Sequence, residues 1–151
     1  AGLTSAYNFA FLFGKGTAED AERGLYADFL DEAAVLLDIP ALTEAAAGFR
    51  EAAAAWQTLA GLLLPKAVQT FGETRDLMLR KHKLFLERGG DAPGEIEGIN
   101  ERLSEIRVSM ENEFPLTQGE VEAFRERLAK QVLAVHDAEK SAVAVLREVT
   151  T

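Results

Sequence analysis

The side chains able to carry chemistry in this chain are few and scattered. It has two histidines, His82 and His136, and no cysteine, and its serines do not sit in a nucleophile elbow. A nucleophile–base pair therefore has no candidate. His136 and Glu139 stand three apart, a spacing that lets two side chains on one helix share a metal ion. A di-iron bundle, however, needs two Glu-x-x-His pairs with further inward glutamates, and here there is a single pair in reverse order. His136 is expected at the surface beside Asp137 and Lys140, and no metal or cofactor is assigned. Gly14-Lys15-Gly16-Thr17 invites a phosphate-loop reading, but the positions that should hold the first glycine and the Ser or Thr after lysine hold Phe9 and Gly16. Glu19, Asp20 and Glu22 would also repel phosphate, so Thr17 and Asp20 read as helix-start residues.

Two groups remain. Arg75, Arg80, Lys81, Lys83 and Arg88 outnumber Asp76 and Glu87, giving a local charge of +3 in a chain whose net charge is −9. Cations near the end of a helix offset its negative pole; the same cluster is also a candidate docking patch for an acidic protein such as an acyl-carrier protein or a neighbouring subunit. Arg23, Tyr26 and Trp56 form the second group, filling a core or lining a pocket.

The elements that must position these residues read as helices. Prolines at 40, 65, 93 and 115 fall between apolar-periodic segments, where a missing N–H does least harm. A first helix is expected over about 18–38, with Leu25, Phe29, Ala33 and Leu36 on one stripe and Tyr26, Leu30, Ala34 and Leu37 beside it, which implies wide burial. A second follows Pro40 with Leu42, Ala45, Phe49, Ala53, Trp56, Leu59 and Leu63 inward, its alanines permitting close helix approach. A third carries Val68, Phe71, Met78, His82 and Phe85 and stops at Gly89-Gly90. The fourth, about 94–112, has a seam of Ile96, Ile99, Leu103, Ile106 and Met110. The last runs from Thr117 to the end, with Thr117 and Glu120 in capping-box spacing and Val121, Phe124, Leu128, Val132, Val135, Val145 and Val149 on its stripe. Before all of these, Tyr7, Phe9, Phe11 and Phe13 alternate with a period of two; this segment reads as an extended arm, a strand lent to another domain, or the frayed start of a helix. The expectation is an all-α bundle of about five helices, residues 1–16 forming an extended arm or linker and residues 17–151 a single helical domain.

Composition narrows the function classes. A chain of 151 residues that is 48% hydrophobic and 27% charged suits one folded domain. A net charge of −9 disfavours nucleic acid, whose phosphates need cationic surface. No apolar run reaches the length of a membrane span, and the first residues lack a signal-peptide pattern, so a cytoplasmic location is expected. The chain starts at Ala1 without methionine and is read as a portion of a longer protein.

Several blocks together resemble a known family. These are the stretch from Arg23 through Tyr26, Phe29, Leu30 and Glu32 to Ala34; Trp56 with Leu59-Ala60 and Leu64-Pro65; and His136-Asp137-Ala138-Glu139 followed by Ala142-Val143 and Leu146. They resemble the helical domain of unknown function found C-terminal to a domain like butirosin biosynthesis protein H. The resemblance implies an upstream partner domain with a cysteine-peptidase-like fold, the butirosin member being an acyltransferase that moves an amino-acyl group from a carrier protein to an aminoglycoside. No cysteine in this chain can be that nucleophile, and no functional residue of the helical domain is carried over. On this reading the chain is a non-catalytic accessory domain that packs on an upstream domain of the same polypeptide, dimerises, or presents substrate or carrier protein. The alternative is a freestanding bundle that binds a small apolar ligand or a protein partner.

Overall fold

A computed structural model describes residues 2–11 and 19–149. All regular structure among the described residues is helical: α1 (Gly2–Phe11), α2 (Arg23–Leu37), α3 (Ala41–Leu63), α4 (Gln69–Arg88), a 3-10 turn at Gly89–Asp91, α5 (Pro93–Asn112) and a long α6 (Gln118–Val149). The all-α class and the long last helix match the sequence reading. The phosphate-loop-like segment Gly14–Thr17 and Phe13 lie outside the described residues.

The chain divides into two compact units, a smaller one from Leu64–Ala123 and a larger one from Gly2–Leu63 with Phe124–Thr151. In the larger unit α2 and α3 form an antiparallel pair, and α1 packs on α3. Ala27, Leu30 and Ala34 of α2 meet Leu42, Ala45, Ala46 and Phe49 of α3 and Ala142 of α6, with Val145, Leu146 and Val149 packed against them. Small side chains dominate this core, which lets the helices approach closely. The extreme case is Gly48, where a Cβ would stand 3.1 Å from the Ala142 Cα and 3.2 Å from its Cβ.

Two expectations need correction here. Residues 2–11 do not form an extended arm. Tyr7 and Ala10 are buried three residues apart, the spacing of one helix face, whereas Phe9 is 57% exposed. Aromatics at every second position mimic a strand, but the helix turns Tyr7 inward and Phe9 outward. The helix expected over 18–38 starts only at Arg23. Ala21 and Glu22 both adopt left-handed backbone, with φ of 51° and 63°. That turn is fixed by the Ala21 N–H donating to the Ala10 carbonyl at 2.7 Å and by the Glu22 N–H donating to Asp20 Oδ1 at 2.9 Å. Asp20 does mark the helix start, but by closing a turn ahead of it.

Burial on α2 is also narrower than expected. Leu30 and Ala34 face the core, but Leu25, Phe29 and Leu36 on the neighbouring stripe are 60%, 58% and 82% exposed. The reading of α3 holds closely, with Leu42, Ala45, Phe49, Ala53, Leu59 and Leu63 all buried. On α6, Phe124, Val135 and Ala142 are buried, while Val132 is half exposed.

In the smaller unit α4 packs on α5. Ile99 and Ile106 of the α5 seam are buried, Phe71 is buried at the start of α4, and its ring lies 5.9 Å from that of Phe114. Gly89, at φ 51°, ends α4, with its N–H on the Phe85 carbonyl. Phe85 itself is exposed, contrary to its place in the expected stripe. At the start of α6 the capping box forms as read. The Thr117 N–H and hydroxyl donate to Glu120 Oε2 at 2.8 and 2.7 Å, and the Glu120 N–H donates to the Thr117 hydroxyl at 3.4 Å. These bonds, the backbone one foremost, hold the Glu120 carboxyl below its ordinary range.

The Gly48–Ala142 approach yields a direct test. Gly48→Val should destabilise the chain by about 1–3 kcal/mol, since the new methyls meet helix backbone that cannot swing aside. Gly48→Ala should lie nearer neutral, because about 1 kcal/mol of helix propensity opposes the smaller clash. Urea unfolding followed by circular dichroism reads both.

Candidate functional site

The polar centre of the larger unit is Glu139. It lies on α6, one turn before Ala142, so the Gly48–Ala142 approach presents it to α3. The two helices are tied again where Gln131 Nε2 donates to the Ala55 carbonyl at 2.9 Å. The neighbouring residue, Trp56, turns its indole toward α6, and Nε1 donates to Glu139 Oε1 at 2.7 Å. Arg23, the first residue of α2, reaches the same oxygen with Nε at 2.6 Å. It also donates from Nη1 to the Ala21 carbonyl at 3.0 Å, gripping the left-handed turn before its own helix. Three elements thus converge on one carboxylate oxygen.

The geometry is that of a partly shielded ion pair. The Arg23 and Glu139 side chains keep 34% and 30% of their surface in solvent. Burial pushes the Glu139 carboxyl up; the hydrogen bonds from Arg23 and Trp56, with the charges of Arg23 and His136, more than offset this and leave it below the usual carboxylate range. Charge-assisted bonds of this kind hold elements in register. The indole is flanked by Phe9 of α1, ring centroids 5.7 Å apart at 51°. Nearby, the buried Tyr7 hydroxyl donates to the Glu19 carboxylate, joining α1 to the segment that precedes α2.

The structure brings Arg23 and Trp56 together but leaves Tyr26 out of their network. Tyr26 lies on the next turn of α2, edge-on to Phe49 with centroids 4.7 Å apart and stacked with Phe29 at 6.0 Å. It is an aromatic bridge between the core and the exposed face of α2. Glu139 was weighed in the sequence only as a partner for His136. His136 is exposed, with Nδ1 3.1 Å from Asp137 Oδ1, and Glu139 is engaged on the other side by Arg23 and Trp56. Among the described residues no three His, Asp or Glu side chains gather as a metal site.

The basic residues stand together on α4, and several are drawn into contacts within the smaller unit. Arg88 pairs with Glu95 and donates to the Asp91 carbonyl, and Arg80 lies 4.0 Å from Glu95. Lys83 lies 3.7 Å from Glu87, and Lys81 donates to Asn100 Oδ1 at 2.6 Å. Arg75 is half-buried.

With this geometry in place, comparison with known proteins adds one match. Residues 14–79 match a family model described as a domain of unknown function (DUF4872). That span holds Arg23, Tyr26, Trp56 and Arg75 and ends before Glu139 and the rest of the basic cluster. No curated protein matches the chain, and no solved structure does.

The Glu139 network has a pH signature. Because its folded-state carboxyl is held below the ordinary 4.5, its contribution is fully present above that pH and disappears as pH falls through the lowered folded-state value. Trp56 is the only tryptophan, so its emission reports this site alone. An acid titration should show an emission change below pH 4.5 that Glu139→Gln abolishes. The same substitution should cost about 1–2 kcal/mol of stability at neutral pH, toward the low end for a charge-assisted bond because the pair is partly solvated.

Proposed function

We propose that this chain is a non-catalytic helical accessory domain that works by association within a larger cytoplasmic polypeptide, one whose upstream part resembles butirosin biosynthesis protein H. The exposed face of α2 carries this reading. Leu25, Phe29, Val35 and Leu36 are each more than half exposed on a helix that buries Ala27, Leu30 and Ala34 on its opposite side. Large apolar side chains exposed together on one helix mark interaction sites. Glu139 fits a structural role, since its strongest acceptor is already shared by Arg23 and Trp56. The match of residues 14–79 to a domain family is compatible with this modular role.

The experiment is carried out on the native gene product. An antibody against this chain should detect a polypeptide well above 16.4 kDa. Replacing an upstream cysteine should abolish acyl transfer, whereas Glu139→Gln should lower the yield of folded protein and leave kcat within about twofold. A native product of 16.4 kDa would overturn the proposal, as would a folded Glu139→Gln protein whose kcat has collapsed.

A further inference from the structure

The outer face of α2 is apolar and acidic at once. Leu25, Phe29 and Leu36 are 60%, 58% and 82% exposed, and exposed Glu32 stands between the last two. The resulting spacings of four, three and four are those of a helix that meets another helix. Within the fold α2 uses the opposite side, at Ala27, Leu30 and Ala34. Charge on this stretch has one dominant sign. Residues 19–38 hold seven acidic residues and one basic residue, Arg23, in a chain whose net charge is −9. Arg23 is turned to Glu139. Beside the apolar row, Asp28 and Asp31 share one guanidinium, that of Arg50 of α3, at 2.8 and 2.7 Å. With Glu32 this sets three carboxylates against one cation. Asp28 gives Arg50 only its Oδ1 and stays 68% exposed, open to a further cation.

We propose that this face docks a cationic amphipathic helix supplied by the upstream part of the same polypeptide. The inference rests on the association reading above and gives the partner its chemistry. Charge complementarity selects the sign. A phosphate-bearing surface or a second copy of the same face brings negative charge to negative charge, whereas Lys or Arg bordering an apolar stripe meets Glu32 and Asp28. The stems of such cations also cover hydrocarbon, here Val35, which follows Asp28 by seven residues and is 83% exposed. The shape of the row selects a helix. From Leu25 to Leu36 it runs about 16 Å, and a partner helix with apolar residues at i, i+3 or i+4 and i+7 matches it. Its size selects a tether. Three apolar side chains are too few for a stable complex between free proteins, but a helix in the same polypeptide acts at an effective concentration of about 1 mM.

The probe is a dye-labelled Leu/Lys peptide of about 14 residues with its leucines on one helical face. It is added to the 151-residue chain and followed by fluorescence anisotropy. The expected Kd is on the order of 100 µM at low salt, weakening by about tenfold at about 0.3 M salt. Leu36→Ser and Glu32→Lys, both at exposed positions, should each weaken binding by about fivefold or more with an unchanged helical spectrum. A peptide of the same composition with its leucines spread around the helix should bind about tenfold less well, and so should a Leu/Glu peptide. The native polypeptide, whose own helix fills the site, should take up the probe about tenfold more weakly than the isolated chain. Binding indifferent to both substitutions, equal binding of either control peptide, or equal affinity of the native polypeptide and the isolated chain would each overturn the docking. So would sedimentation that shows a dimer dispersed by Leu36→Ser, since a second copy would then hold the face. Any of these results with a native product well above 16.4 kDa removes the docking and leaves the accessory reading standing; a native product of 16.4 kDa removes both.

Discussion

The larger unit depends on how closely α3 and α6 approach at Gly48 and Ala142. Helices usually pack with axes 8–10 Å apart, the distance set by the side chains between them. Here one of those side chains is missing and the other is a methyl, so a Cβ at Gly48 would press on α6 backbone at 3.1 Å. The Glu139 network follows from this. Only with the helices this close does the Trp56 indole reach Glu139 without leaving the wall of the core, and only then can Arg23 join from the start of α2. The alanines of the core, at positions 27, 34, 45, 46 and 142, extend the same geometry to α2. Dispersion gains from many small, close contacts stand in for the few large ones that a leucine core would make.

The charged residues of this unit divide by depth. Glu139 is shielded enough that its bonds orient helices, whereas Asp28 and Asp31, further out, share Arg50 of α3. The first arrangement locks the inside of α2 to its neighbours. The second joins the flank of the same helix to α3 through one guanidinium shared by two carboxylates. A fifteen-residue helix thus has one side packed within the fold and another that leaves Leu25, Phe29 and Leu36 exposed.

The sequence was a good guide wherever a single apolar stripe told its own story. The inward positions of α3 were readable from Leu42 to Leu63, and so were the seam of α5 and the capping box at Thr117. It misled where two patterns overlapped. On α1 the aromatic residues at alternate positions mimicked a strand, although the buried pair Tyr7 and Ala10 keeps helical spacing. On α2 two stripes were equally apolar, and periodicity cannot say which one the fold will cover. The site was half legible. Arg23 and Trp56 stood out by type, but Glu139 was matched to His136, its neighbour along the helix. Its actual partner Arg23 lies 116 residues away, a relation that only tertiary packing creates.

The order of the two units along the chain bears on how the protein is made. The smaller unit is one uninterrupted stretch, Leu64–Ala123, set inside a larger unit whose halves come from the two ends. On a ribosome the stretch from α4 to α5 is therefore complete before the last helix has been synthesised, and its local contacts can form at once. The larger unit must wait. Until α6 emerges, Trp56 and Arg23 lack the Glu139 carboxylate, Gly48 faces a vacant groove, and the apolar sides of α2 and α3 are covered only by each other and by α1. The closing of this fold thus waits for α6, and the α4–α5 insertion lengthens the interval during which an incomplete core must be kept from other chains.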